Sequence, residues 1–170
     1  MKKKFVSMLL AAMMAGTMVA AVPVMAEEST EATTEATTEA TANADLADKK
    51  VGVCIYQFSD NFMTLFRTEL ENYLVGLGFS KDNITIVDGV NDQATQSGQI
   101  DSFIADEVDV LIINPVNSSS ASTITDKVVA AGIPLVYINR EPDADEEARW
   151  EENGWDVTYV GCDARQSGTY

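Results

Sequence analysis

Residues 51–79 read VGVCIYQFSDNFMTLFRTELENYLVGLGF, and this stretch sets the fold class. Its opening, Val51 to Gln57, is short, apolar and rich in β-branched residues, as a buried strand requires. Downstream of it Phe62, Phe66, Leu70, Tyr73 and Leu77 recur at intervals of three and four, the repeat of one helix face, and the pattern stops at Gly78. Glycine closes helices because it enters the left-handed conformation without steric cost. A buried strand running into an amphipathic helix is the first half of a βαβ unit.

The alternation continues along the chain. Further strands are predicted at Ile84 to Asp88, Val108 to Asn114, Ile133 to Asn139 and Val157 to Gly161. A helix is expected from about Gln93 to Glu107, carrying Ile100, Phe103 and Ile104. Another runs from about Ser119 to Ala131, carrying Ile124, Val128 and Val129, with Gly132 and Pro134 just beyond. The acidic segment Glu141 to Asp156 reads as a long surface loop anchored by Trp150 and Trp155. With right-handed crossovers, these elements make an α/β fold, a doubly wound parallel sheet.

Upstream of Lys50 the composition changes twice. Lys2, Lys3 and Lys4 precede an apolar run from Phe5 to Ala26 that contains Ser7, Thr17 and Pro23. That pattern predicts a signal peptide over residues 1–26, cleaved after Ala26, rather than a retained anchor. No cysteine stands near the junction, so lipid anchoring has no acceptor. Residues 27–49 repeat Glu-Ala-Thr-Thr and contain no large apolar residue before Leu46, so this Glu/Ala/Thr-rich linker is expected to be disordered. Residues 50–170 form the globular part, long enough for one core.

Removal of the three lysines leaves 8 basic against 27 acidic residues, a net charge of −19. Such a chain repels nucleic acid and anionic lipid, and dispersed acidic residues serve solubility. Cys54 and Cys162 each lie in or beside an apolar run and read as small core residues rather than a disulfide pair. Histidine is absent.

Ligands of doubly wound sheets bind outside the carboxyl ends of the strands. Here those ends carry Tyr56 with Asp60, Asn61 and Phe62, then Asn91 and Asp92, then Asn114, then Asn139 and Arg140, then Asp163. Planar amide, carboxylate and guanidinium groups each meet two hydroxyls at once, which suits a polyhydroxylated ligand. An aromatic ring such as Phe62 offers a wall for the C–H face of a pyranose. Plainer roles compete at each position. Asp60 is also a good helix cap, as is Asn91 or Asp92, Phe62 is also a core residue, Asn114 before Pro115 also shapes a turn, and Arg140 with Glu141 is also a surface ion pair.

The segments Val51-Gly-Val-Cys-Ile-Tyr-Gln-Phe-Ser-Asp-Asn-Phe-Met63, Asn91-Asp-Gln93 with Gln99-Ile-Asp101, Ile138-Asn-Arg-Glu-Pro142, and Val160-Gly161 with Asp163 and Ser167-Gly168 resemble the galactose/glucose-binding proteins of bacterial ABC transporters. The resemblance covers about Lys50 to Tyr170. It implies the first lobe of a two-lobed type 1 periplasmic binding protein, exported to the periplasm or cell exterior. Its partners would be a monosaccharide, an ABC permease and, in some members, a chemoreceptor. It also implies that Asp60 hydrogen-bonds the sugar, Phe62 stacks on it, and Asn139 bonds a hydroxyl. Arg140 stands where glucose/galactose members often carry lysine and ribose binders carry arginine. Tyr56, Asn61, Asn91 and Asn114 are further candidates, for contact or for support of the contacts. No cofactor is expected in this chain. The family's calcium loop, second stacking aromatic and further polar ligands would lie in a second lobe beyond Tyr170, so residues 1–170 alone are expected to bind weakly. The family's first lobe also receives a strand returning from the far end, which would leave an open sheet edge here.

Other classes are compatible with parts of this reading. A sugar hydrolase would use two carboxylates such as Asp60 and Asp163. A sensory input domain would be followed by a transmembrane segment. A repressor core would carry a basic helix-turn-helix before Val51, where the sequence instead has the acidic linker.

Overall fold

A computed structural model describes residues 44–162. The predicted signal peptide, most of the predicted linker, Asp163 and Ser167-Gly168 lie outside the described residues.

Five strands alternate with four helices: β1 (Val51–Ile55), α1 (Asn61–Leu77), β2 (Ile84–Asp88), α2 (Gln93–Ala105), β3 (Val110–Ile113), α3 (Ala121–Ala130), β4 (Leu135–Ile138), α4 (Ala144–Asn153) and β5 (Val157–Val160). All strand pairs are parallel, in the order β2-β1-β3-β4-β5. Val51 pairs with Ile84 on one side and Val110 on the other. The order therefore reverses at β1, and the switch point falls between the carboxyl ends of β1 and β3.

Side chains alternate across β1, so Val51, Val53 and Ile55 join Met63 and Leu74 of α1 on one face, while Cys54 joins Ile100, Phe103, Ile124 and Val128 of α2 and α3 on the other. Gly52 is required by the second face. A Cβ there would stand 2.8 Å from the Phe103 ring and 2.9 Å from Leu111. The central strands are buried on both faces, which explains their unbroken apolar runs.

Helix α1 starts where Asp60 caps it and ends at Gly78, whose φ of 116° places it in the left-handed region. Four strands are shorter than expected: β5 by Gly161 alone, and β1, β3 and β4 because the main chain at their ends bonds elsewhere. Val108 and Ile133 are buried and apolar, yet their N–H groups bond back to Phe103 and Val128 at 3.3 and 3.2 Å, so they close α2 and α3 rather than extend β3 and β4. β1 ends at Ile55 because Gly89 and Asn91, not a strand, take up the carbonyls of Ile55 and Tyr56 at 2.7 Å.

The expected surface loop over 141–156 is corrected to helix α4. Asp145, Glu146 and Glu147 occupy its first turn, where the helix dipole favours negative charge, and Gly154 ends it at φ 62°. Trp150 is 5% exposed, stacks on Tyr137 at 5.4 Å, and donates its indole N–H to Glu146 at 2.7 Å. Trp150, together with Arg149, which Glu146 holds and which reaches Asp126 at 2.8 Å and the Ser122 carbonyl at 3.2 Å, thus docks a helix that is otherwise charged. Cys162 is also corrected: it is exposed, two residues past β5, which is at the sheet's edge among the described residues, whereas Cys54 is buried as expected.

The folded part begins before Lys50. A 3-10 turn spans Ala44–Leu46, inside the stretch assigned to the linker. Asn83 donates to the Ala47 carbonyl at 2.9 Å, and Lys49 pairs with Asp109 at 2.8 Å.

Candidate functional site

The loops leaving β1, β2, β3 and β4 meet at the carboxyl edge of the sheet. The first carries a linked set of side chains. Tyr56 donates its hydroxyl to Asp60 Oδ2, while Asp60 Oδ1 accepts the Met63 N–H at 3.0 Å. The Tyr56 hydroxyl, then the Met63 N–H, hold the Asp60 carboxyl below the usual carboxylate range, and the same bond raises the Tyr56 phenol. Asp60 is therefore an ionised acceptor at neutral pH. A carboxylate accepts at about four positions, so cap and tyrosine leave capacity for a ligand.

Arg140 joins this set from β4. Its guanidinium lies 3.8 Å from the Tyr56 ring centroid. Its Nη1 donates to the carbonyls of Pro115, at 3.2 Å, and Val116. The alternative ion pair with Glu141 does not form; the guanidinium, more weakly hydrated than an ammonium, turns inward to the carbonyls and ring. Five N–H donors on one guanidinium leave others over for a ligand.

Phe62 is the second residue of α1, two positions after Asp60, and is 61% exposed. The core alternative for it therefore falls. Its ring sits 6.1 Å from that of Phe66, which is half-buried against the sheet. Asn61 is exposed beside it.

Asn139 leaves β4 with φ 63° and an exposed side chain. Its backbone N–H bonds to Val160 at 3.2 Å, and its carbonyl accepts the Tyr159 hydroxyl at 3.3 Å. A left-handed asparagine at a strand exit, with the main chain occupied and the carboxamide outward, presents two donors and an acceptor to solvent.

Asn91 adopts φ 54° and Val90 φ 45° in a tight turn closed by the Asp92 N–H on the Gly89 carbonyl at 2.8 Å. Both are exposed at the rim, and the Asn91 N–H bonds to Tyr56. Asp92 caps α2 through Thr95 at 2.6 Å, the plainer of its two expected roles.

For Asn114 direct contact is corrected to support. It is wholly buried, its Nδ2 donates to Met63 Sδ at 2.8 Å, and its carbonyl accepts from Gln96. It ends β3 under the start of α1, below the edge rather than on it.

Two residues that sequence reasoning passed over complete the support. Asp88 Oδ1 accepts the N–H groups of Phe58 at 3.0 Å and Val90 at 2.8 Å, tying the β1 loop to the β2 turn. Asp88-Gly89 was a legible turn signal. Gln96, inside α2, bonds the segment after β3, and nothing in its spacing announced it. A hollow of about 340 Å³ lined by Glu147, Trp150, Trp155 and Tyr159 lies beside β5 and holds none of these residues.

Comparison with known proteins fits this geometry. The family model for the periplasmic binding protein domain matches residues 51–170. A D-galactose/methyl-galactoside binding periplasmic protein of Haemophilus influenzae is 35% identical over 122 residues, covering 72% of this chain and 35% of the relative. A putative rhizopine-binding protein of Rhizobium meliloti is 40% identical over 92 residues, covering 54% and 29%. Among solved structures, an ABC transporter solute binding protein from Bacillus halodurans with bound myo-inositol superposes with a TM-score of 0.51 at 32% identity, covering 62% of this chain and 36% of that one. The chain thus spans about a third of the length of the curated relatives it matches.

Proposed function

The chain belongs to the periplasmic binding protein domain family, and on that premise we propose that it is the sugar-facing lobe of an exported binding protein, which takes a monosaccharide of the galactose or glucose kind on the carboxyl edge of its sheet for delivery to an ABC permease. The observation that carries the proposal is the exposed Phe62 ring two residues after an ionised, part-buried Asp60 that Tyr56 bonds, with the Arg140 guanidinium over the Tyr56 ring.

A pyranose has one face of C–H groups and a girdle of hydroxyls. Phe62 covers the face. Asp60 accepts from hydroxyls, Arg140 donates to them, and the Asn139 carboxamide does both. Tyr56 orients Asp60, Asn61 and Asn91 line the rim, and Asn114 braces the edge from below. A site built of such groups discriminates against analogues lacking a hydroxyl, because its own polar groups are then left unpaired. The galactose reading is supported by the Haemophilus relative, whose name carries that sugar. Export to the periplasm or cell exterior is supported by the Lys2–Ala26 pattern and by the same relative, which is periplasmic.

A second reading within this class is a cyclic polyol. The Bacillus structure holds myo-inositol, which offers the same C–H face and hydroxyl girdle without a ring oxygen.

One lobe touches a ligand from one side, and contacts left in water are weak. The 170-residue chain is expected to bind with a Kd on the order of millimolar. Isotope-labelled chain titrated with D-galactose, D-glucose, myo-inositol and D-ribose tests this by amide and side-chain NMR shifts. Saturable shifts from galactose or glucose at Tyr56 to Phe62, Asn91 and Asn139 to Arg140 support the proposal. A response to myo-inositol alone favours the polyol. Silence with all the ligands, or shifts that map away from this edge, refutes it.

A further inference from the structure

We propose that Gln96, wholly buried in α2, is a positioning residue for the ligand edge: its carboxamide clasps the segment Asn114–Pro115–Val116, whose carbonyls in turn aim the Arg140 guanidinium. Its bearing on sugar affinity rests on the function proposed above; the clasp itself does not.

Gln96 has no exposed surface. Its Nε2 donates to the Asn114 carbonyl and its Oε1 accepts the Val116 N–H, both at 2.9 Å. An amide bonded in both directions to one three-residue segment fixes that segment's rotation as well as its place. Every main-chain polar group of the segment is then accounted for. The Asn114 N–H bonds to Cys54 at 2.8 Å, Pro115 has no N–H, and the carbonyls of Pro115 and Val116 both accept from Arg140. Two side chains, one from below and one from the edge, hold what the sheet does not.

The consequence passes through Arg140. Its guanidinium is placed by those carbonyls and by the Tyr56 ring, and Tyr56 in turn bonds Asp60. A shift of the segment moves the donor that faces a ligand acceptor. The Asn114 side chain cannot substitute for the clasp, since its Nδ2 is spent on Met63 Sδ and its buried Oδ1 has no partner among the described residues. A residue serving only to fill volume here would be apolar, because an amide in a core is costly unless both ends are bonded.

The test compares Gln96→Met, Arg140→Met and the double variant in the 170-residue chain. Without ligand, Gln96→Met is expected to speed hydrogen exchange of the Val116 amide by about tenfold and to displace the Arg140 Nε–H resonance. With D-galactose, Gln96→Met should weaken binding about fivefold, and the double variant should bind no worse than Arg140→Met alone, since the two act in series. A lowered melting temperature with an unmoved Arg140 resonance, or additive losses in affinity, overturns the proposal. Should Gln96→Met not fold, Gln96→Asn withdraws the amide by one methylene and is read the same way. Fast exchange of the Gln96 Nε2 protons in the unaltered chain would also overturn it. If no sugar is bound at all, the proposed function fails while the Arg140 resonance still decides the clasp.

Discussion

Substituting Asn139 by glycine separates what the backbone requires at this position from what the side chain does. With φ at 63°, the residue occupies the left-handed well, which glycine enters freely and asparagine tolerates better than most. Relief of residual strain in Asn139→Gly is offset by the larger conformational freedom of glycine in the unfolded chain, about 0.4–1 kcal/mol, so stability should change by less than about 0.5 kcal/mol. Asn139→Ala keeps a Cβ in the same well without the local hydrogen bonding that suits asparagine to it. That conformation costs about 1–2 kcal/mol, of which glycine's freer unfolded chain gives back about 0.4–1 kcal/mol, so with a net difference of about 0.6–1 kcal/mol the alanine variant should melt roughly 3–5 °C below the glycine variant. Both variants remove the same carboxamide. Losing one neutral hydrogen bond to a sugar costs about 1 kcal/mol and losing two about 2 kcal/mol, so affinity should fall between roughly fivefold and thirtyfold, and equally in the two. Thermal unfolding by circular dichroism and NMR titration with D-galactose read the two effects independently. Unchanged affinity in Asn139→Gly refutes the assigned contact, and equal melting of the two variants refutes the backbone argument.

Phe62→Ala should leave the melting temperature almost unaltered, since the ring is 61% exposed, while weakening sugar binding about threefold to tenfold through loss of the stacking wall; a large destabilisation would return Phe62 to the core. Acid should destabilise the lobe. Asp60, Asp92 and Asp109 are held below the usual 3.8 by bonds to Tyr56, Thr95 and Lys49 respectively. Their contribution is present above the unfolded value and is lost as pH falls through their folded values, whereas Glu147, raised by burial, opposes the trend with a contribution that is lost as pH rises. Melting scans from about pH 5 to about pH 3 should fall most steeply below about pH 4, and Asp109→Asn should flatten the curve; a flat profile in the unaltered chain would contradict the pairing. In native protein at neutral pH a thiol reagent should label Cys162 alone, because burial pushes the Cys54 thiol up to about 12, and both cysteines should label in denaturant; rapid double labelling of the native chain would show that β1 is not buried.

Local order carried much of the outcome. The three-and-four spacing from Phe62 to Leu77, the cap at Asp60 and the stop at Gly78 depend on residues within one turn of each other, so α1 was readable almost to its ends. The same holds for the parallel α/β class, since strands buried on both faces must be apolar throughout. Helix α4 was missed although its acidic first turn and Gly154 are helix signals. Its single buried aromatic leaves no apolar stripe to count, and only the contacts with Tyr137 and Asp126, distant in the chain, show why it docks.

The sequence by itself determined which segments are strands, where most helices begin, and which polar residues arrive at the carboxyl ends of those strands, because periodicity, capping and chain order are local properties. Only the tertiary structure decided the rest. It buried Asn114 against Met63, exposed Cys162 just past the end of β5, turned Val108 and Ile133 into helix ends, and closed Arg140 over Tyr56 with its Nη1 on carbonyls 24 and 25 residues away. Those outcomes depend on which strands become neighbours, and neighbours in a sheet are chosen by the packing of the whole core, which no spacing along the chain records.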